Sequence, residues 1–284
     1  MKYLIVALLC TLATAKITVQ GAYSKKNVKL TEDAVLFNGL IFSFAALIFS
    51  WQAINADAVI WIYSALFGVF SVAFQICYTK ALSVGNVSLT VLIVNLSMII
   101  PVAVSVFAFN ESLSLTRVIG ILLTLVTFFV VTDVKNTEKC SLKWVLLAMA
   151  SMLANGALSV TQKIFGKTEW SSQSGAFVSR AYIVAAVLSL VVYFFIKKRG
   201  TTSQKKNYTI FAYAAATGII LTVFQLFNTY AIATVNGTFL FPAYSGGCVV
   251  FSAILGLLIF KERLNARQAI GVSIGAVALV LMNF

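Results

Sequence analysis

Phe74–Gln75–Ile76–Cys77–Tyr78–Thr79–Lys80–Ala81 and Phe224–Gln225–Leu226–Phe227–Asn228–Thr229–Tyr230–Ala231 share Phe, Gln, Thr and Ala at an offset of 150 residues. Asn86 meets Asn236 at the same offset. At 151, Phe109–Asn110–Glu111–Ser112–Leu113 falls on Phe260–Lys261–Glu262–Arg263–Leu264, and Ile119–Gly120 falls on Ile270–Gly271. Apolar letters coincide cheaply in an apolar chain, so Gln75/Gln225, Asn86/Asn236 and Glu111/Glu262 carry the inference. They imply two diverged copies of one unit, residues 1–135 and 141–284.

What each copy is made of follows from composition. The chain has 284 residues, 61% of them apolar and 10% charged, with a mean hydropathy of +0.98. Soluble domains hold roughly 45–50% apolar and about 25% charged residues, and the excess here is too large for one water-soluble core. Crossing about 30 Å of hydrocarbon takes about 20 apolar residues. Ten such runs are present: Tyr3–Tyr23, Val35–Ala53, Val59–Thr79, Val84–Phe109, Leu115–Thr132, Leu142–Phe165, Gly175–Ile196, Tyr208–Ile232, Gly237–Phe260 and Leu264–Phe284. Backbone groups in lipid must be satisfied within the segment, and the runs lack the alternation of barrel strands. The expected fold is therefore all-α and integral to the membrane, with ten transmembrane helices, five per copy. Because five is odd, the second copy enters the bilayer with the opposite orientation. Such an inverted repeat builds many secondary transporters, with a substrate site near the midplane. Met1–Lys2, an apolar stretch and Ala13–Thr14–Ala15 also fit a signal peptide; the sixth span needs a repeat partner, so the first span is expected to be retained.

The two apolar-Glu-x-Leu turns, at Phe109–Leu113 and Phe260–Leu264, each followed by an Ile-Gly pair, resemble the EamA type of the drug/metabolite transporter superfamily. Members have ten helices in two five-helix halves, with such a turn between the fourth and fifth helices of each half. The resemblance covers the whole chain and implies a metabolite transporter. The Trp-Gly pair common in the first helix of such proteins is replaced here by Ala13–Thr14–Ala15–Lys16, so first-helix substrate contacts do not carry over.

The chain carries 21 Lys and Arg against 8 Asp and Glu, a net +13 with no histidine. Alternating the loops puts fifteen of those cations on one face and only Lys2, Arg117, Lys163 and Lys167 on the other. By the positive-inside rule the rich face is cytoplasmic and both termini lie outside, whereas the family resemblance implies termini inside. Membrane topology absorbs the charge, so no nucleic acid is expected. The expected location is a bacterial plasma membrane.

Lys16 and Arg180 are the remaining cations, and both lie within spans. A charge at the bilayer centre costs roughly 2.5–3.5 kcal/mol on insertion scales, so each is a candidate substrate contact. None of the eight acidic residues lies inside a span, which points to an anionic or zwitterionic solute. Gln75 and Tyr78, with Thr79, share one helical face at i, i+3, i+4 spacing, and Gln225 and Asn228, with Thr229, share another. Asn95, Asn155 and Tyr244 complete the candidate substrate-binding set. Isolated polar residues in spans also serve as interhelical glue, worth about 0.6 kcal/mol each on average. Pro101 and Pro242 kink or break their helices, leaving Phe241–Gly247 as a candidate discontinuity. Glu111 and Glu262 are expected to cap the helix that follows each turn. Gly271 and Gly275 form a GxxxG pair suited to close helix packing or a homodimer.

Histidine is absent, and Cys10, Cys77, Cys140 and Cys248 are scattered, so neither a metal nor a cofactor is expected. No acid/base pair lies at one membrane depth, which argues against an enzyme. The expected function is secondary transport of a small metabolite by alternating access, coupled to protons or to exchange. The competing class is a non-transporting membrane scaffold or sensor.

Overall fold

The computed structural model describes residues 2–54, 56–85, 90, 93–131, 141–197, 209–259 and 266–281. Among these are ten α-helices: α1 (Lys2–Asn27), α2 (Thr31–Phe49), α3 (Ile60–Val84), α4 (Ile99–Phe107), α5 (Leu115–Val131), α6 (Leu142–Gly166), α7 (Ser174–Lys197), α8 (Thr209–Thr234), α9 (Gly237–Ile259) and α10 (Ala266–Leu281). Six of them, α1, α2, α3, α6, α7 and α8, are long and apolar enough to cross a membrane. Their outward faces carry bare hydrocarbon such as Leu66 and Val69 on α3 and Ile219 and Val223 on α8. In water that surface would aggregate; in lipid it is the solvent contact.

The packing is symmetric. Helix α1 lies against α8 and α9, while its counterpart α6 lies against α3 and α4; α2 packs on α7 and α8, and α7 packs on α2 and α3. The halves therefore interleave across a pseudo-twofold axis. Two glycines 150 residues apart mark it. A Cβ on Gly68 would come 2.8 Å from Ala181 O and 3.0 Å from Val184 Cβ, and one on Gly218 would come 2.9 Å from Ile41 O and 3.0 Å from Phe44 Cβ. Both positions need glycine because α3 and α8 press their backbones onto the second helix of the opposite half.

Local chemistry explains the helix ends. Ser141 caps α6 by accepting from Trp144 N at 3.2 Å, and the Asp33 Oδ2 accepts from Lys29 N and Leu30 N at 2.9 and 2.7 Å ahead of α2. Helix α3 outruns the sequence expectation, continuing from Thr79 to Val84. Lys80 does not end it, because this side chain is buried and its Nζ donates to Lys29 O at 2.5 Å. The fourth span passes through a 3₁₀ turn at Leu96–Met98, and Pro101 sits in the first turn of α4, where its missing amide costs nothing. The break expected at Phe241–Gly247 is not present, since α9 runs through Pro242 as one helix. Asn86, the Phe260–Leu264 turn with Glu262, and the cation-bearing segments 132–140 and 198–208 lie outside the described residues.

Candidate functional site

Helices α3 and α8 each present the polar stripe read from the sequence, and both stripes reach a cavity of about 130 Å³ between the halves. From α3 come Ser71, Phe74, Gln75 and Tyr78; from α8, Phe224, Gln225 and Asn228. Lys16 of α1 and Asn155 of α6 enter from the first helices of the two halves, and Asn95 and Tyr244 from the fourth. Eight of the nine candidate residues thus line one space: Lys16, Gln75, Tyr78, Asn95, Asn155, Gln225, Asn228 and Tyr244. Asn155 Nδ2 also donates to Ser97 Oγ at 2.7 Å, tying α6 to the fourth span.

Arg180 does not join them. Its guanidinium ties down the segment between α2 and α3, with Nη1 donating to Asp57 O at 2.5 Å and Nη2 to Ala56 O at 2.6 Å and Ala53 O at 3.1 Å. It also lies over the Trp61 ring, 5.0 Å from the centroid. This cation is therefore engaged by the connection's carbonyls and leaves the cavity to Lys16.

Lys16 faces the cavity with its Nζ 5.7 Å from the centre of the Phe74 ring. It has no ion-pair or hydrogen-bond partner among the described residues. No acidic side chain lines the cavity among the described residues. The walls mix aromatic and amide groups with aliphatic and serine side chains, the Phe42–Tyr182 and Phe74–Tyr78 rings stacked at 5.9 and 5.3 Å and Phe224 tilted on Tyr244 at 5.8 Å. Tyr182 and Gln162 are lining residues outside the candidate set. Gln162 is paired to α8, donating from Nε2 to Thr229 Oγ1 at 2.7 Å and accepting from Asn228 Nδ2 at 3.1 Å. Buried Tyr182 Oη and Gln225 Nε2 lack a partner among the described residues.

The EamA-like transporter family matches residues 1–132 and again 142–284, one match per half of this symmetric bundle. The chain belongs to the EamA-like transporter family. An uncharacterized protein of Haemophilus influenzae is 23% identical over 303 residues, covering 100% of this chain and 98% of that protein. A solved crystal structure of a protein shares the fold at a TM-score of 0.76, with 15% identity, over 99% of this chain and 95% of its own. This EamA-like chain is a multi-pass membrane protein of a small-molecule transporter family, with a small-molecule substrate and the lipid bilayer as its partners.

In this EamA-like protein the Glu111 turn differs from its expected role. Asn110 takes a left-handed φ of 50°, which Asn tolerates better than most residues, and the chain reverses so that Glu111 N donates to Ser105 O at 3.1 Å. The carboxylate does not cap α5, the helix that follows; Ser114 does, accepting from Arg117 N at 3.3 Å. Glu111 instead reaches the opposite half. Its Oε2 accepts from Thr238 N at 3.2 Å in the first turn of α9, and its Oε1 lies 2.5 Å from Lys163 Nζ at the end of α6. Lys163 is 1% exposed and Glu111 8%. The positive end of α9 and the ammonium together satisfy a carboxylate that could not be buried alone. The sequence reading assigns Lys163 only to the cation-poor face, near the end of the Leu142–Phe165 span. The signal for the pairing was an acid and a base each next to a span end, which does not specify a partner.

Proposed function

We propose that this chain is a secondary transporter that moves a small anionic or zwitterionic metabolite by alternating access, with the two repeats, residues 1–135 and 141–284, as the moving bodies. A proton gradient or exchange supplies the drive, and the membrane is a bacterial plasma membrane. The observation carrying this reading is that one cavity is walled by equivalent helices of both halves, whose cross-half contacts repeat in pairs. Two conformations in which the halves exchange roles then differ little in energy, which alternating access requires. The Glu111–Lys163–Thr238 contact joins the α4–α5 turn to α6 and α9, and on this reading it is a latch between the halves that parts as they move.

Flux tests the proposal. Purified protein in liposomes, given proton or exchange gradients and a broad panel of labelled metabolites, is expected to move at least one of them above protein-free vesicles. Silence across the panel overturns it, as does full activity when Lys16, Gln75 and Gln225 are each replaced by an apolar residue, which a scaffold or sensor would permit. A second measurement addresses the latch. Lys163→Met strands a buried carboxylate and should cost about 3–5 kcal/mol of stability, read as a lowered thermal midpoint. Adding Glu111→Gln should recover most of that loss, and an unshifted midpoint in the single variant removes the ion pair from the account.

A further inference from the structure

The cavity combines one cation with aromatic walls, and the two features constrain different parts of a ligand. Lys16 is the only charged residue in the lining among the described residues, and the Phe74 ring is its one described neighbour of electrostatic consequence. A cation over an aromatic face gains less than a charge costs at membrane depth. The balance is made up when an anion binds. Two further donors belong to lining residues, Tyr182 Oη and Gln225 Nε2, both buried and unpartnered among the described residues. A carboxylate has two oxygens and about four acceptor sites, and these donors match them.

The rest of the ligand meets rings. Phe42 with Tyr182, Phe74 with Tyr78, and Phe224 with Tyr244 form three ring pairs contributed by both halves. Planar faces pack on such walls in offset or edge-on geometry, which adds attraction beyond the area buried. The space is about 130 Å³, of the same order as the roughly 150 Å³ apolar cavity that takes up one benzene, so a solute on the scale of a single ring suits it. A zwitterion would bring an ammonium into a cavity whose described lining holds Lys16 and no carboxylate.

We propose that the solute is a monocarboxylate built on a single planar ring, its carboxylate taken by Lys16 with Gln225 and Tyr182, and its ring lodged among the aromatic walls. This rests on the transport reading above, since it names the solute of that same cavity. The probes are benzoate, acetate, benzylamine, cyclohexanecarboxylate and phenylalanine, with binding followed by calorimetry and by thermal shift of the purified wild-type protein. Benzoate is expected to bind at least ten-fold more tightly than acetate, benzylamine or phenylalanine, and several-fold more tightly than the saturated ring. Lys16→Gln should weaken benzoate binding at least ten-fold while the protein stays folded, and Lys16→Arg should keep most of it. Preference for benzylamine or phenylalanine, or a Lys16→Gln variant that binds benzoate as wild type does, overturns the proposal; the wild-type ranking decides it even if no variant folds. Counterflow in liposomes against protein-free controls separates the two claims. Binding of benzoate without flux upholds the ligand class and sinks transport, whereas flux of another metabolite without benzoate binding sinks the ligand class alone.

Discussion

The two halves use the same glutamine and threonine differently. In the first half, Gln20 Nε2 donates to Gln75 Oε1 and Thr79 Oγ1, both at 3.0 Å, and Asn38 Nδ2 donates to Thr79 Oγ1 at 3.0 Å and Gln75 O at 3.1 Å. Thr79 returns a bond to Asn38 Oδ1 at 3.2 Å. In the second half, Gln162 takes the place of Gln20 and donates to Thr229, the counterpart of Thr79. Nothing on α7 plays the part of Asn38, and Gln225 Nε2 is left without a partner among the described residues. The first network closes across α1, α2 and α3, though Gln20 Oε1 stays buried and unpartnered in it among the described residues, whereas the open second one leaves the donor Gln225 Nε2 on a lining residue. Symmetry of the backbone therefore does not oblige symmetry of the chemistry: one copy of the polar cluster ties three helices and spares an acceptor, and the other spares a donor.

The largest effect should come from breaking the closed side. Asn38→Leu removes three hydrogen bonds and strands buried partners, at a cost of about 1–3 kcal/mol. The thermal midpoint in detergent should fall clearly, while flux per folded molecule should stay near wild type. Gln162→Leu on the open side should cost about 1 kcal/mol, within the range of membrane hydrogen bonds, and because Gln162 lines the cavity, ligand affinity should fall several-fold in the same titration. Smallest in stability is Gln225→Met. Replacing an unpartnered buried donor by an apolar side chain of similar shape should leave the midpoint unchanged within about 0.5 kcal/mol or raise it, while ligand affinity drops a few-fold. A destabilisation by Gln225→Met as deep as that of Asn38→Leu would erase the contrast between the halves.

Much of this architecture was legible before any coordinates. Ten apolar runs and the Gln75/Gln225 identity pointed to ten helices in two inverted copies, because lipid leaves the backbone few choices. Helical periodicity likewise brought Gln75 and Tyr78 to one wall and Gln225 and Asn228 to another. Other features were hidden for identifiable reasons. Gln20 and Gln162 are 142 residues apart, not 150, so the longer connections of the second half obscure their equivalence. Gly68 and Gly218 do lie at 150, but a glycine among apolar letters carries no visible information until its neighbour's backbone is in view. Arg180 and Lys80 looked like charges in need of a function or a boundary; carbonyl groups from distant segments satisfy both. Span-end charges such as Glu111 and Lys163 gave no clue that they pair, since their proximity arises from how the halves interleave.

The Glu111 contact also bears on how the protein is made. Thr238 follows Glu111 by 127 residues in the chain, and at translation rates of about 5–20 residues per second its amide emerges roughly 6–25 s later. Through that interval the turn after α4 has no helix N-terminus to bind, although Lys163, its other partner, is made earlier. The full set of contacts around this carboxylate therefore closes only once the start of α9 has been synthesised.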